Sequence, residues 1–247
     1  MEDTGQTPEV HFMPWYKRLF GVFYEPSKVF RSLDERPDWV WSLAIPILVT
    51  IILSTVAVFL SIRSPEYYKA LEKFTDTQKQ YASITAYIGV VFAVIFRLGF
   101  IFLVGGIIHV IAPFMNGKSS YSRIISVLGY SYLPYFLVGI LSVISLASNP
   151  GNYSPLSTSL AVFWTKKEAG IVMLSLLGEI DVIKFWVMGL STGGLAIIFK
   201  FGWKKALAIV LLIWLVTTGI KVGATAAMKP FIDKSEEVSP DSTDATD

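Results

Sequence analysis

The chain has 247 residues, of which 53% are hydrophobic and only 16% charged, with a mean hydropathy of +0.56. Soluble domains carry roughly 25% charged residues, so a water-soluble globule is excluded and membrane crossings take up most of the length. A formal net charge of +2 is too small for a nucleic-acid partner, and the lack of cysteine rules out disulfides, thiolate metal sites and redox thiols.

Residues 1–14 are expected to be disordered. The first dozen are polar and contain no short apolar core with a small-residue cleavage site, so the first span is expected to act as its own uncleaved insertion signal. The segment "PWYKRLFGVFYEPSKVFRSLDERPDW" follows. Trp15, Tyr16, Leu19, Phe20 and Phe23 recur near the helical period, with Lys17 and Arg18 on the other side. Pro26 ends that helix, and Ser27 or Pro26 opens a second one, which carries Val29, Phe30 and Leu33. Aromatics on one face and cations on the other predict two amphipathic helices within residues 15–38, lying in the cytoplasmic headgroup plane. Two readings stand for them. They are lipid anchors only, or they are a platform for a cytosolic protein or lipid, with Trp15, Tyr16, Phe20, Phe23, Pro26 and Phe30 as the candidate contacts.

Five runs meet the length of about 20 apolar residues that a membrane helix needs: residues 41–62, 84–111, 124–147, 180–199 and 206–228. The predicted fold class is an all-α integral membrane protein, a five-transmembrane-helix bundle with N-terminal interfacial helices, forming one membrane domain over 15–228. Before the second span, Ser64 and Pro65 suit a helix start, and Thr75 with Gln78 has capping-box spacing. The second span is long enough to tilt or protrude. In the third, "SVLGYSYLPYFLVGILSV", Pro134 brings no N–H and crowds the Tyr130 carbonyl, which predicts a kink at Gly129 and Pro134. Residues 149–178 open as a Pro/Gly/Ser-rich loop. The apolar run 171–177 inside them is interfacial, re-entrant or an extension of the fourth span bent at Gly178, with the interfacial reading placed first. Residues 229–247, acidic and small from Ser235 onward, are expected to form a disordered tail.

Lys17, Arg18, Lys28, Arg31 and Arg36 precede the first span, and Lys200, Lys204 and Lys205 fill the loop between the last two. The positive-inside rule then puts the N-terminus in the cytoplasm and the C-terminus outside a multi-pass cell-membrane protein.

Three cations fall within spans: Arg97, Lys184 and Lys221. A mid-bilayer arginine costs roughly 2.5–3.5 kcal/mol on insertion scales, so Arg97 needs partners. The structural reading pairs Lys184 with Glu179 and Asp181, and gives Arg97 to carbonyls or tyrosine faces, the carbonyl of Tyr130 freed by Pro134 among them. The functional reading gathers Arg97, Tyr130, Tyr132, Lys184, Lys221, Glu179 and Asp181 into a pocket for an anion or lipid headgroup. The central parts of the spans hold no Asp or Glu, which argues against a proton- or sodium-coupled carrier. No catalytic, metal or cofactor site is expected. His11 and His109 are far apart along the chain, and no hydrolase elbow or phosphate loop occurs.

Gly189 and Gly193, and Gly219 and Gly223, stand four apart in the last two spans. Such faces let helices approach closely, here as an intramolecular hairpin or, alternatively, in a homo-oligomer. No internal repeat supports an inverted-repeat transporter.

"LFGVFYEPSKVFRSL" followed by "RPDWVWSLAIPIL" resembles the opening of the Yip family, membrane proteins named for interacting with Ypt/Rab GTPases. "GYSYLP" is similar to that family's Gly-Tyr…Pro signature in the third span. The resemblance runs from about Trp15 to Met228 and implies a five-helix, non-enzymatic membrane protein. Eukaryotic members, tied to vesicle traffic and membrane shaping, have a longer cytosolic region and an Asp-Leu-Tyr-Gly-Pro motif. This chain has "VFYEP" instead, which points to a bacterial or archaeal source and leaves Rab-type binding without its motif. Two functions are expected: a membrane scaffold or adaptor working through its N-terminal segment, or a channel or passive transporter for a small anion or other solute around Arg97.

Overall fold

The computed structural model describes residues 13–72, 74–148 and 157–237. The elements are α1 (Trp15–Tyr24), α2 (Pro26–Glu35), α3 (Trp39–Ser61), α4 (Pro65–Leu71), α5 (Asp76–Ile111), α6 (Tyr121–Ser131), α7 (Tyr135–Ser148), α8 (Lys166–Leu177), α9 (Val182–Phe199) and α10 (Trp203–Glu237). Among the described residues there is no β-strand, only an isolated bridge between Ser159 and Asp181. Five stretches are long and apolar enough to cross a bilayer: Trp39–Ser61, Asp76–Met115, Tyr121–Ser148, Val182–Phe199 and Trp203–Phe231. The protein is an all-α membrane protein, and each stretch overlaps an expected span.

Local chemistry sets the helix starts. The Ser64 hydroxyl accepts the Tyr67 N–H at 3.2 Å, with Pro65 at the first helical position. Thr75 and Gln78 form the anticipated capping box, closed by Thr75 N–H to Gln78 Oε1 at 2.9 Å. From there α5 runs 36 residues, roughly 54 Å at 1.5 Å per residue. That exceeds a hydrocarbon core of about 30 Å, so the helix must lean or project.

Two compact units emerge. The first comprises residues up to Leu156 together with Trp186–Val210; the second comprises Ser157–Phe185 and the residues from Leu211. The core of the first is built by Val22 of α1, Val29, Phe30 and Leu33 of α2, Ile101 and Ile108 of α5, Ile124 through Leu128 of α6, and Leu195 and Ile198 of α9. In contrast α3 buries only Ser42 and Leu43 and turns Leu48, Ile51, Ile52 and Phe59 outward, as a lipid-facing helix does.

In the second unit a Thr165–Glu168 capping box opens α8. Hydrogen bonds from the Thr165 backbone and hydroxyl hold the exposed Glu168 carboxyl below its usual range. Gly170, at φ 70°, then interrupts the helix, a conformation open to glycine because it lacks Cβ. The run 171–177 is a helical segment of its own, separated from α9 by the non-helical residues 178–181. It is therefore not a bent extension of the fourth span. The other end departs from expectation too: α10 continues to Glu237, so residues 229–237, assigned to the disordered tail, are helical. The remainder of that tail, residues 1–12 of the N-terminal segment and the Pro/Gly/Ser-rich stretch 149–156 lie outside the described residues.

Candidate functional site

The N-terminal helices meet the spans through a buried ionic network. Arg18, 3% exposed, pairs with Asp38 at 3.3 Å and also donates to the carbonyls of Arg36 and Ser32 at 3.3 and 3.4 Å. Asp38 stands at the N-terminus of α3, yet its carboxylate caps no backbone N–H there. It is committed instead to Arg18 and to the Tyr130 hydroxyl, which donates to Oδ2 at 3.0 Å. The Asp38 N–H donates to Ser126 Oγ at 2.9 Å. Arg123 adds an ion pair with Asp34 at 3.6 Å. These bonds lock α1 and α2 to the first and third spans.

This geometry corrects the expected faces. Lys17 and Arg18 are expected on one cationic side, but successive helical residues lie about 100° apart, and Lys17 is exposed while Arg18 is buried. The outward face of α1 carries Trp15, Tyr16, Phe20 and Tyr24, the last two 69% exposed. Trp15 stacks on Trp41 in the first turn of α3, with centroids 5.4 Å apart. Phe23 is half-buried with its ring edge-on to Trp186, and Pro26 begins α2. Phe30 is 1% exposed and belongs to the core, so it is no docking contact: α2 turns its apolar face onto protein.

The third span is interrupted where Pro134 predicted. Residues 132–134 leave the α-helix, and bonds from Leu133, Tyr135, Phe136 and Leu137 each reach back three residues, at 2.9–3.2 Å. The Tyr130 carbonyl accepts the Leu133 N–H at 3.2 Å; neither Arg97 nor a hydroxyl takes it, contrary to expectation. Gly129 does separate work. A methyl group there would lie 2.6 Å from the Ser42 carbonyl, the one that Pro46 deprives of its helical donor. Only glycine lets α3 and α6 close to this distance.

Beyond the break, Arg97 lies over the rings of Tyr132 and Tyr135, 5.4 and 5.2 Å from their centroids. It borders a cavity of about 20 Å³, lined also by Pro46, Thr50, Leu98, Gly129 and Tyr132. Tyr130 faces Asp38 instead, so the pocket expected to hold Arg97, Tyr130 and Tyr132 together divides. Its remaining members form a separate centre within the second unit. There Glu179, 5% exposed, accepts from Lys184 at 2.5 Å, from Lys221 at 2.7 Å and from Thr218 at 3.2 Å. Burial alone would raise the Glu179 pKa, but the hydrogen bonds and charges of the two lysines outweigh it and hold the carboxyl below its usual range. Asp181 caps α9, accepting the N–H groups of Ile183 and Lys184 at 2.8 and 3.0 Å and the Thr158 hydroxyl at 2.9 Å; it is not an ion-pair partner of the Lys184 side chain.

A family model described as the Yip1 domain matches residues 20–223. The chain belongs to the Yip1 family. No curated protein and no solved structure matches it. Within this Yip1 domain the two stretches that suggested the family are in contact: "RPDW" supplies Asp38, "GYSYLP" supplies Tyr130, and Arg18 closes the triad from α1. Sequence reasoning missed Arg18 and Asp38 as functional positions. The available signal was an aspartate directly before an apolar run, where a bare carboxylate needs a partner. A Cβ at Gly189, Gly193, Gly219 or Gly223 would meet nothing within 4 Å. Gly194 is the packed one, against Val127 and Phe30.

Proposed function

We propose that this Yip1-family protein is a non-enzymatic membrane scaffold that recruits a cytosolic protein partner through the outward face of α1. In this reading the N-terminus is cytoplasmic, as the Lys/Arg distribution around the first span favours, and the C-terminus lies outside. The observation that carries it is the buried Arg18–Asp38–Tyr130 network. A helix that only anchored to lipid would need no ionic tether to the bundle. A docking helix gains from one, because ordering it beforehand removes an entropic cost from binding. The face so held presents Trp15, Tyr16, Phe20 and Tyr24 beside Lys17, with aromatics of the kind enriched at protein interfaces.

The solute-passage reading stands behind. The cavity beside Arg97, about 20 Å³, holds about one water, well short of a path for a solute. The test is photo-crosslinking in native membranes, with the crosslinker at Phe20 or Tyr24 of the full chain. A discrete protein adduct at both positions, lost when Arg18→Met unlocks the helix, is the expected result. Lipid adducts alone at both positions would leave α1 a membrane anchor and end the proposal.

A further inference from the structure

The second span, Asp76–Met115, and α9 end in the same way. Asn116 and Lys200 take the left-handed conformation, at φ 64° and 54°. The residues after them, Gly117 and Phe201, donate their N–H groups to the carbonyls of Ala112 and Ala196, at 2.9 Å each. Glycine or asparagine is usual at such a position. A lysine there carries backbone strain, and strain held at an exposed residue points to a use for its side chain. The two turns pack together: Gly117 is buried, and a Cβ on it would run into the Phe201 ring. Residues 112–123 and 199–206, which surround this contact, hold five cations and no Asp or Glu. Arg123 is taken by Asp34. Lys118, Lys200, Lys204 and Lys205 are exposed, and among the described residues none of the four makes an ion pair. Such a patch, free of carboxylates, selects an anionic surface. Two aromatics give its depth. Phe114 is 85% exposed and Trp203 is 61% exposed, and they stand at the ends of the apolar stretches Asp76–Met115 and Trp203–Phe231, where rings settle at headgroup level. The lysines beside them therefore stand at the bilayer surface, in reach of lipid phosphates.

We infer that these paired turns bind anionic phospholipid headgroups through Lys118, Lys200, Lys204 and Lys205. The leaflet concerned is the one on their own side, cytoplasmic in the orientation proposed above. The site is separate from the outward face of α1 and does not depend on what that face recruits.

Native mass spectrometry of the full chain, titrated in detergent with phosphatidylglycerol or phosphatidylcholine, reads the affinity of the first bound lipids. Wild type should prefer phosphatidylglycerol by at least ~10-fold. Each lysine beside an anionic headgroup layer is worth about fivefold. Lys118→Gln, Lys200→Gln, Lys204→Gln and Lys205→Gln together should therefore remove the preference, and all four positions are exposed, so the spans should still fold. Lys69→Gln with Lys79→Gln, in α4 and the first turn of α5 at the other end of the second span, should leave it unchanged. A photo-crosslinker at Trp203 of the full chain in native membranes should give lipid adducts. Equal affinity of wild type for the two lipids would overturn the assignment, as would an equal loss in the Lys69/Lys79 pair. A discrete protein adduct at Trp203 would also overturn it and give the lysines to an acidic protein instead.

Discussion

Removing the Asp38 carboxylate should unlock the N-terminal helices without unfolding the spans. In Asp38→Ala, Arg18 remains 3% exposed with its countercharge gone. Breaking a buried pair from one side typically costs about 3–5 kcal/mol. Arg18 keeps the carbonyls of Ser32 and Arg36, so the low end, ~3 kcal/mol, applies. Tyr130→Phe removes one hydrogen bond to a charged group, which costs about 1.5 kcal/mol. The two losses should not add. Once Asp38 is alanine the Tyr130 hydroxyl has already lost its acceptor, so deleting it costs nothing further, and the double variant should match Asp38→Ala. Hydrogen exchange of α1 and α2 amides in nanodiscs reads the local opening free energy. A 3 kcal/mol loss corresponds to ~100-fold faster exchange there, with the amides of the α5 core unchanged. Exchange within twofold of wild type in Asp38→Ala, or a Tyr130→Phe penalty as large in the variant as in wild type, would refute the network.

At Gly129 a methyl group meets backbone, the Ser42 carbonyl at 2.6 Å, so Gly129→Ala should lower stability by about 1–3 kcal/mol of overpacking. Gly189→Ala and Gly193→Ala, with open space at each Cβ, should stay within about 0.5 kcal/mol in the same melting assay. For Glu179, whose folded pKa is lowered, the stabilising contribution is present above the unfolded value of about 4.3 and is lost as pH falls through the lower folded value. The melting-temperature gap between wild type and Glu179→Gln should therefore be full at pH 7 and close as pH falls through the lowered folded value; a gap undiminished in strong acid would show that the carboxylate is not the stabilising group.

The spans were legible because long apolar runs admit few alternatives in a bilayer, and the two capping sites before the second span were legible because their chemistry is local. Burial was legible in α2, where Val29, Phe30 and Leu33 form one stripe, but not its partner, since periodicity shows which residues share a face and not what covers it. That ambiguity sent Phe30 to a docking surface when it belongs to the core. The candidate pocket failed for a related reason. Tyr130 and Tyr132 stand two apart, about 200° around a helix, so both could not face Arg97 while the helix held. Glu179, Lys184 and Lys221 were read more closely, because all three sit at adjacent ends of neighbouring apolar runs, where an unpaired charge is expensive. The small-residue spacing marks a face but not what packs on it; the glycine of α9 that a methyl group would not fit is Gly194, against Val127 and Phe30.

The break in the third span gives its two halves different duties. Every residue of α6 from Ile124 to Ser131 is buried, and this half carries Ser126, Gly129 and Tyr130 to the start of α3. In α7 no residue is buried; it touches α3 where Gly139 meets Leu53, and its Tyr135 covers Arg97. A continuous helix would fix the angle between Tyr130 and Tyr135, so that orienting one ring on Asp38 would set the other. The run of tighter bonds at 132–134 relaxes that constraint. It lets α6 be positioned by the N-terminal helices while the rings of Tyr132 and Tyr135 stay on Arg97. Pro134 is thus a device for meeting two sets of contacts with one span.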